Sequence, residues 1–239
     1  MTDVFVSSLP VVIDHLVASV RDAAAAAMAA RGQFTIALPG GSVATEGFPR
    51  LAMLPLDWSR VHFFWADERA VPASDPESNF GLAERLWLTP AGVPQASIHR
   101  MPADAVDLDR GAAEYDTELA GVLRAADGRL DLVVLGMGPD GHIASLFPGH
   151  PLLRENARRV AAVTDASKPP PRRLTLTMPV IAAARRVIVA AFGESKADAL
   201  ADAVRHEGSA LPVAHLLRRA KDALILADEA AGAKLKADS

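Results

Sequence analysis

The sequence contains no cysteine. This excludes disulfides, thiolate catalysis and cysteine-ligated zinc together, and it suits a reducing compartment. Positive charge is not in excess either: 25 Lys and Arg against 29 Asp and Glu leave a net charge of −4, so electrostatics gives no case for a nucleic-acid partner. Long hydrophobic runs are missing, and the longest small-apolar stretch, Ala23 to Ala30, is far short of a bilayer span. The N-terminal MTDVFVSSLPVVIDHLV lacks a basic leader and carries Asp3 and Asp14, which argues against a signal peptide. A soluble, cytoplasmic protein without membrane contact is expected. No stretch has linker composition and no repeat period is visible, so residues 1–239 are read as a single domain.

What is present is an alternation of short β-rich runs with helix-period stretches, the pattern of a parallel sheet with crossover helices. The clearest strands are Phe34 to Leu38, Val61 to Trp65, Leu130 to Leu135, Arg159 to Val163, Val187 to Phe192 and Ala223 to Leu226. Val12, Leu16 and Val20 mark a first helix; Ala113, Leu119 and Leu123 another; Ala197, Leu200, Ala203 and Val204 a third. The Pro-rich piece Lys168-Pro169-Pro170-Pro171-Arg172-Arg173 reads as a stiff surface loop leading into the alternating Leu174-Thr175-Leu176-Thr177.

Ligands of open α/β sheets bind beyond the carboxyl ends of the strands, so the residues that follow each strand are the candidates. Leu38 is followed by Pro39-Gly40-Gly41-Ser42, and Trp65 by Ala66-Asp67-Glu68-Arg69. Leu135 is followed by GMGPDGH, and Phe192 by Gly193-Glu194-Ser195-Lys196. Gly40-Gly41-Ser42 before a helix suits an anion held by backbone N–H groups, or equally a tight turn with Ser42 as N-cap. A serine nucleophile elbow needs G-x-S-x-G, and position 44 is Ala. Asp67 and Glu68 are adjacent and on an extended chain point apart, which makes a poor acid–base dyad. Arg69 suits an oxyanion, with a local ion pair to Glu68 or Asp75 as the plain alternative. Lys196 opens a helix expected near Glu194, where a cation opposes the helix dipole unless Glu194 or a bound anion compensates it.

Gly136-Met137-Gly138-Pro139-Asp140-Gly141 is a literal G-x-G-x-x-G, and Asp165 ends a later strand, where a ribose-binding acid would stand. A dinucleotide site needs a helix starting at the third glycine, but Pro148, Gly149 and Pro151 follow too soon. His142 comes directly after this glycine loop, and neutral imidazole is a suitable general base for water. A metal site from Asp140, His142 and His150 lacks a supporting ligand cluster and ranks below that role.

Together LPGGS, VHFFWADERAVPASDPESNFG, DLVVLGMGPDGHIASLFPGH, PPPRRLTLTMPVI and GESKADAL, in that order from about Phe34 to Leu200, resemble the 6-phosphogluconolactonase family. The resemblance implies hydrolysis of 6-phosphoglucono-1,5-lactone to 6-phosphogluconate in the oxidative pentose phosphate pathway. It also implies an α/β, modified Rossmann-like fold, a mainly parallel sheet flanked by helices, similar to sugar-phosphate isomerases. By that resemblance His142 is the base, and Arg69 and Lys196 bind phosphate. Gly40, Gly41 and Ser42 are expected at the phosphate, Gly138 and Gly141 near the developing oxyanion, and Asp67 or Asp140 behind the imidazole. No cofactor and no metal are implied. The expected partner is a small phosphorylated sugar lactone, with no nucleic acid and no membrane, bound by a monomer or weak homo-oligomer. Val43 and Ile143 stand where the family often has Thr, and ALILADEAAGAKL matches loosely. The competing classes are a sugar-phosphate isomerase or deaminase of the same fold and a non-catalytic sugar-phosphate sensor.

Overall fold

A computed structural model describes residues 2–235. Six strands form a parallel sheet in the order β1 (Thr2–Ser7), β9 (Ala223–Asp228), β8 (Arg186–Ala191), β5 (Leu132–Gly136), β2 (Phe34–Leu38) and β3 (Val61–Trp65). A second sheet of three antiparallel strands runs β4 (Asp67–Arg69), β7 (Arg173–Leu176), β6 (Val160–Val163). The expected α/β class is the one found.

The central strands are apolar on both faces because helices cover both: every residue of β2 is buried, as are Leu132 to Leu135 of β5 and Val187 to Ala191 of β8. Helix α1 (Leu9–Arg31) buries Val12, Ile13, Leu16, Val20, Ala24 and Ala27, one stripe at three- and four-residue spacing. It stops at Gly32, which takes the left-handed conformation that lets its N–H reach the Met28 carbonyl. Helix α2 (Gly41–Leu51) packs Val43, Ala44, Phe48 and Leu51 inward. Helices α3 (Asn79–Ala83), α4 (Leu108–Leu123), α5 (Met178–Ala183), α6 (Ala197–Arg205) and α7 (Pro212–Arg219) complete the cover. One continuous apolar cluster joins residues of both sheets, including Trp65, Leu174, Leu176 and Val189. No helix among the described residues is long and apolar enough to cross a membrane.

The strand order positions the site. From β2 the chain moves outward to β3, then returns to place β5 on the other side of β2. That reversal opens a crevice at the carboxyl ends of β2 and β5. At Trp65-Ala66 the chain leaves the large sheet: Ala66 still donates to Leu38 O, while its carbonyl accepts from Leu176 N of the small sheet. The small sheet therefore stands over the same carboxyl ends as a wall.

Candidate active site

A cavity of about 190 Å³ lies in that crevice, lined by Gly40 to Val43, Asp67, Arg69, Asn79, Gly136 to Pro139, His142, Arg173 and Lys196, among others. Its lining comes from all four strand ends singled out in the sequence.

The floor is the start of α2. Its first N–H groups have no carbonyl four residues behind them, and no side chain caps Gly40. The approach is close: a β-carbon on Gly40 would fall 1.8 Å from Asn79 Oδ1, so only glycine lets α3 and α2 meet there. Asn79 is itself held by Nδ2 donating to Asp67 O at 2.8 Å. Glu68 anchors the start of α3, its buried carboxylate accepting from Ser78 Oγ at 3.0 Å and from the N–H groups of Asn79 (2.8 Å), Phe80 (2.7 Å) and Arg69 (2.7 Å). Burial pushes the Glu68 pKa up, against the pull of those donors. Its role is structural, and it faces away from Asp67 as adjacent residues on a strand must.

The wall carries the charge. In the register of the small sheet Arg69 lies directly opposite Arg173, so two guanidinium groups share one face, and both line the cavity. Like charges opposite one another in a ladder are destabilising unless something compensates them. Asp67 supplies part of this: its Oδ2 is 3.7 Å from Arg173 Nη1 and accepts from Ser145 Oγ at 2.6 Å. Arg69 Nη1 donates to Glu77 O at 2.8 Å and lies 3.4 Å from Glu77 Oε2, rather than pairing with Glu68 or Asp75. Its Nε is buried with no acceptor. Burial lowers the Arg173 pKa; Asp67 opposes this and Arg69 adds to it. Arg173 was not among the residues picked from sequence. A basic residue at the start of a short strand reads as surface charge, and only the pairing register aims it inward.

Lys196 enters from the far side, after β8. A 3-10 turn, Glu194–Lys196, precedes α6, so Lys196 occupies the helix N-cap position rather than its first turn. The turn is pinned by Asp228 at the end of β9, whose carboxylate accepts from Gly193 N at 2.9 Å. Lys196 makes no ion pair among the described residues. Burial lowers its pKa, with Asp140 acting against that and Lys168 adding to it.

The candidate base is paired with a carboxylate. His142 Nδ1 lies 2.5 Å from Asp140 Oδ1. Burial alone would raise the Asp140 pKa, but the hydrogen bonds and charge of His142 outweigh it and hold the carboxyl below its usual value. An ionised carboxylate only accepts, so Nδ1 carries the proton, and in the neutral ring Nε2 keeps its lone pair. The imidazole is also packed against Phe147, ring centroids 4.8 Å apart. Asp67, the other candidate behind the imidazole, is engaged by Ser145, Arg173 and Asn79 instead.

The glycine loop differs from expectation in its donors. Gly138 N donates to His142 O at 2.8 Å and Gly141 N to Gly138 O at 3.0 Å, so neither N–H is left for an oxyanion. Gly141 does not line the cavity; its carbonyl accepts from Val213 N and it backs onto Leu211. No helix starts there, the next turn being the 3-10 segment Pro151–Arg154, so the dinucleotide pattern has no structural counterpart. His150 turns to Asp165, 3.0 Å away. Among the described residues no group of three or more His, Asp or Glu is placed to hold a metal. Val43 and Ile143 are core residues, 2% and 0% exposed, which explains an apolar choice at both. Past His142, Ala144 takes a positive φ of 47°, a strained turn that sends Ser145 back to Asp67.

A sheet with a cationic rim and a carboxylate-backed imidazole at its switch point defines a class: an α/β protein whose cavity sets a candidate base beside a cluster of cations, a combination suited to a small anionic ligand. The chain belongs to the glucosamine-6-phosphate isomerases/6-phosphogluconolactonase family, whose model matches residues 8–225. It is 42% identical over 219 residues to the 6-phosphogluconolactonase of Mycobacterium tuberculosis, with 88% of each chain covered. The solved 6-phosphogluconolactonase of Trypanosoma cruzi superposes with a TM-score of 0.87 at 26% identity, covering 99% of this chain and 97% of that one. A monomeric glucosamine-6-phosphate deaminase shares the fold at 19% identity, with a TM-score of 0.82 over 97% and 99% of the two chains.

Proposed function

We propose that the protein is a cytoplasmic 6-phosphogluconolactonase that hydrolyses 6-phosphoglucono-1,5-lactone to 6-phosphogluconate in the oxidative pentose phosphate pathway. The observation that carries this is His142, backed by Asp140, on the same cavity as Arg69, Arg173 and Lys196. The relatives named above support it.

A lactone is an activated ester, so positioning, a base and charge stabilisation suffice. Arg69, Lys196 and the N–H groups of Gly40 to Ser42 anchor the phosphate, and that binding energy orients the ring. His142 Nε2 takes a proton from water as its oxygen attacks C1. Asp140 holds the tautomer and stabilises the imidazolium. Because Gly138 and Gly141 have no free N–H, the tetrahedral oxyanion is stabilised by the positive field of the cations and the α2 terminus. Collapse breaks the bond from C1 to the ring oxygen, which receives the proton from His142. The product carboxylic acid then ionises.

That released proton gives the test. A pH-stat assay on freshly generated lactone should show turnover, reduced roughly 10²–10⁴-fold in His142→Ala, the range for a positioned general base. Unchanged kcat in the variant removes His142 from the chemistry. Ammonia release from glucosamine 6-phosphate, without lactone hydrolysis, would replace this function with the deaminase.

A further inference from the structure

The connection between β6 and β7 carries Lys168-Pro169-Pro170 beside Arg173, whose side chain bonds all three of their carbonyls. Arg173 donates through Nε to Pro170 O at 2.9 Å and through Nη2 to Lys168 O and Pro169 O, both at 3.0 Å. Prolines offer no N–H of their own, so these carbonyl contacts fix residues 168–170 as a strap, while Ala166 N on Pro171 O at 3.0 Å and Ala70 N on Arg172 O at 2.9 Å hold the chain that follows. Arg173 is at once the strap's anchor and a lining residue of the cavity. Lys168 does not itself line the cavity, but its carbonyl is held on a guanidinium group that does.

The Lys168 side chain is exposed and has no acidic partner among the described residues. Lys196 makes no ion pair among them either, although the Asp140 charge acts on it, and the charge of Lys168 adds to the burial that lowers the Lys196 pKa. Two unpaired ammonium groups beside two aligned guanidinium groups leave a local positive excess that the fold does not use. A phosphate monoester carries about −1.5 to −2 at pH 7 and would complement it.

We infer that Lys168 is a further binding residue for the substrate's phosphate, brought to the cavity rim by a strap that Arg173 holds in place. Arg173 is then a positioning residue for Lys168 as well as a wall of the site. This deepens the lactonase assignment and rests on it.

The test compares Lys168→Ala, Lys168→Arg and Lys168→Glu on 6-phosphogluconolactone, with melting temperature as a control for folding. Loss of one charge-assisted contact at a partly solvated site should raise KM roughly tenfold in Lys168→Ala. Lys168→Arg should restore most of this, Lys168→Glu should worsen it, and kcat should stay within about threefold. An equal KM in all three, or a fall in kcat with KM unchanged, overturns the proposal. If the wild type hydrolyses no lactone, the parent assignment fails instead. Calorimetric binding of 6-phosphogluconate to wild type and Lys168→Ala then still decides the role of Lys168, a matched affinity refuting it.

Discussion

His142 occupies the space that a side chain on Gly138 would need: a β-carbon there would stand 2.0 Å from Nδ1 and 2.1 Å from Cε1. The glycine before the loop's turn is thus a seat for the imidazole. Gly138→Ala should displace the ring while leaving the buried sheet intact. Since a misplacement of about 1 Å costs on the order of 10²-fold, kcat should fall by roughly that factor with little change in melting temperature. A variant of near-normal kcat would show that the ring needs no such seat.

Asp140→Asn preserves shape but cannot fix the Nδ1–H tautomer. We expect kcat to drop at least roughly 10²-fold, with KM for the phosphorylated lactone little altered because the cations are untouched. A KM-dominated effect would assign Asp140 to substrate binding instead.

Lys196 has a depressed pKa, first through burial. Its charge is lost as pH rises through a value below the ordinary lysine value. Affinity for 6-phosphogluconate, measured by calorimetry, should therefore weaken at a lower alkaline pH than a free lysine would dictate. Lys196→Ala should bind weakly throughout and lack that transition.

Away from the site, His62 Nδ1 lies 2.9 Å from His99 Nε2, and His99 Nδ1 lies 2.6 Å from Glu118. Burial, and then the charge of His99, lowers the His62 pKa. The unfolded chain takes up the proton first, so the stabilising contribution is full above about pH 6.5 and is lost as pH falls toward the folded value. Melting temperature should fall less between pH 7.5 and 5.5 in His62→Gln than in wild type. Parallel curves would rule His62 out as a source of acid sensitivity.

Glu68→Gln replaces an acceptor of four hydrogen bonds with an amide that turns an NH₂ toward them. The cost should be about 1–3 kcal/mol, seen as a lower denaturation midpoint. Because Glu68 sets the start of α3, catalytic efficiency should fall as well.

The sequence alone specified much of this. β2 and β3 follow the expected boundaries, since an all-apolar run bounded by turn residues has few other uses. β5, β6, β8 and β9 differ from expectation only at their ends. β1 was not read because an edge strand is half exposed and lacks a continuous apolar signal, and β4 is three residues long. Arg69, His142 and Lys196 were legible because each follows a strand. Arg173 and Asp228 were not, because their roles depend on register and on a neighbouring strand rather than on local pattern.

The passage of the chain through Ala66 from one sheet to the other has a consequence for how such a protein can change. The imidazole hangs from the large sheet, while the guanidinium groups belong to the small one. Under the proposed function, substitutions at Arg69 or Arg173 would alter the anchoring of the substrate while leaving the Asp140–His142 pair in place. The cavity is thus a seam between two sheets, with two guanidinium groups on one side and the imidazole, Lys196 and the start of α2 on the other.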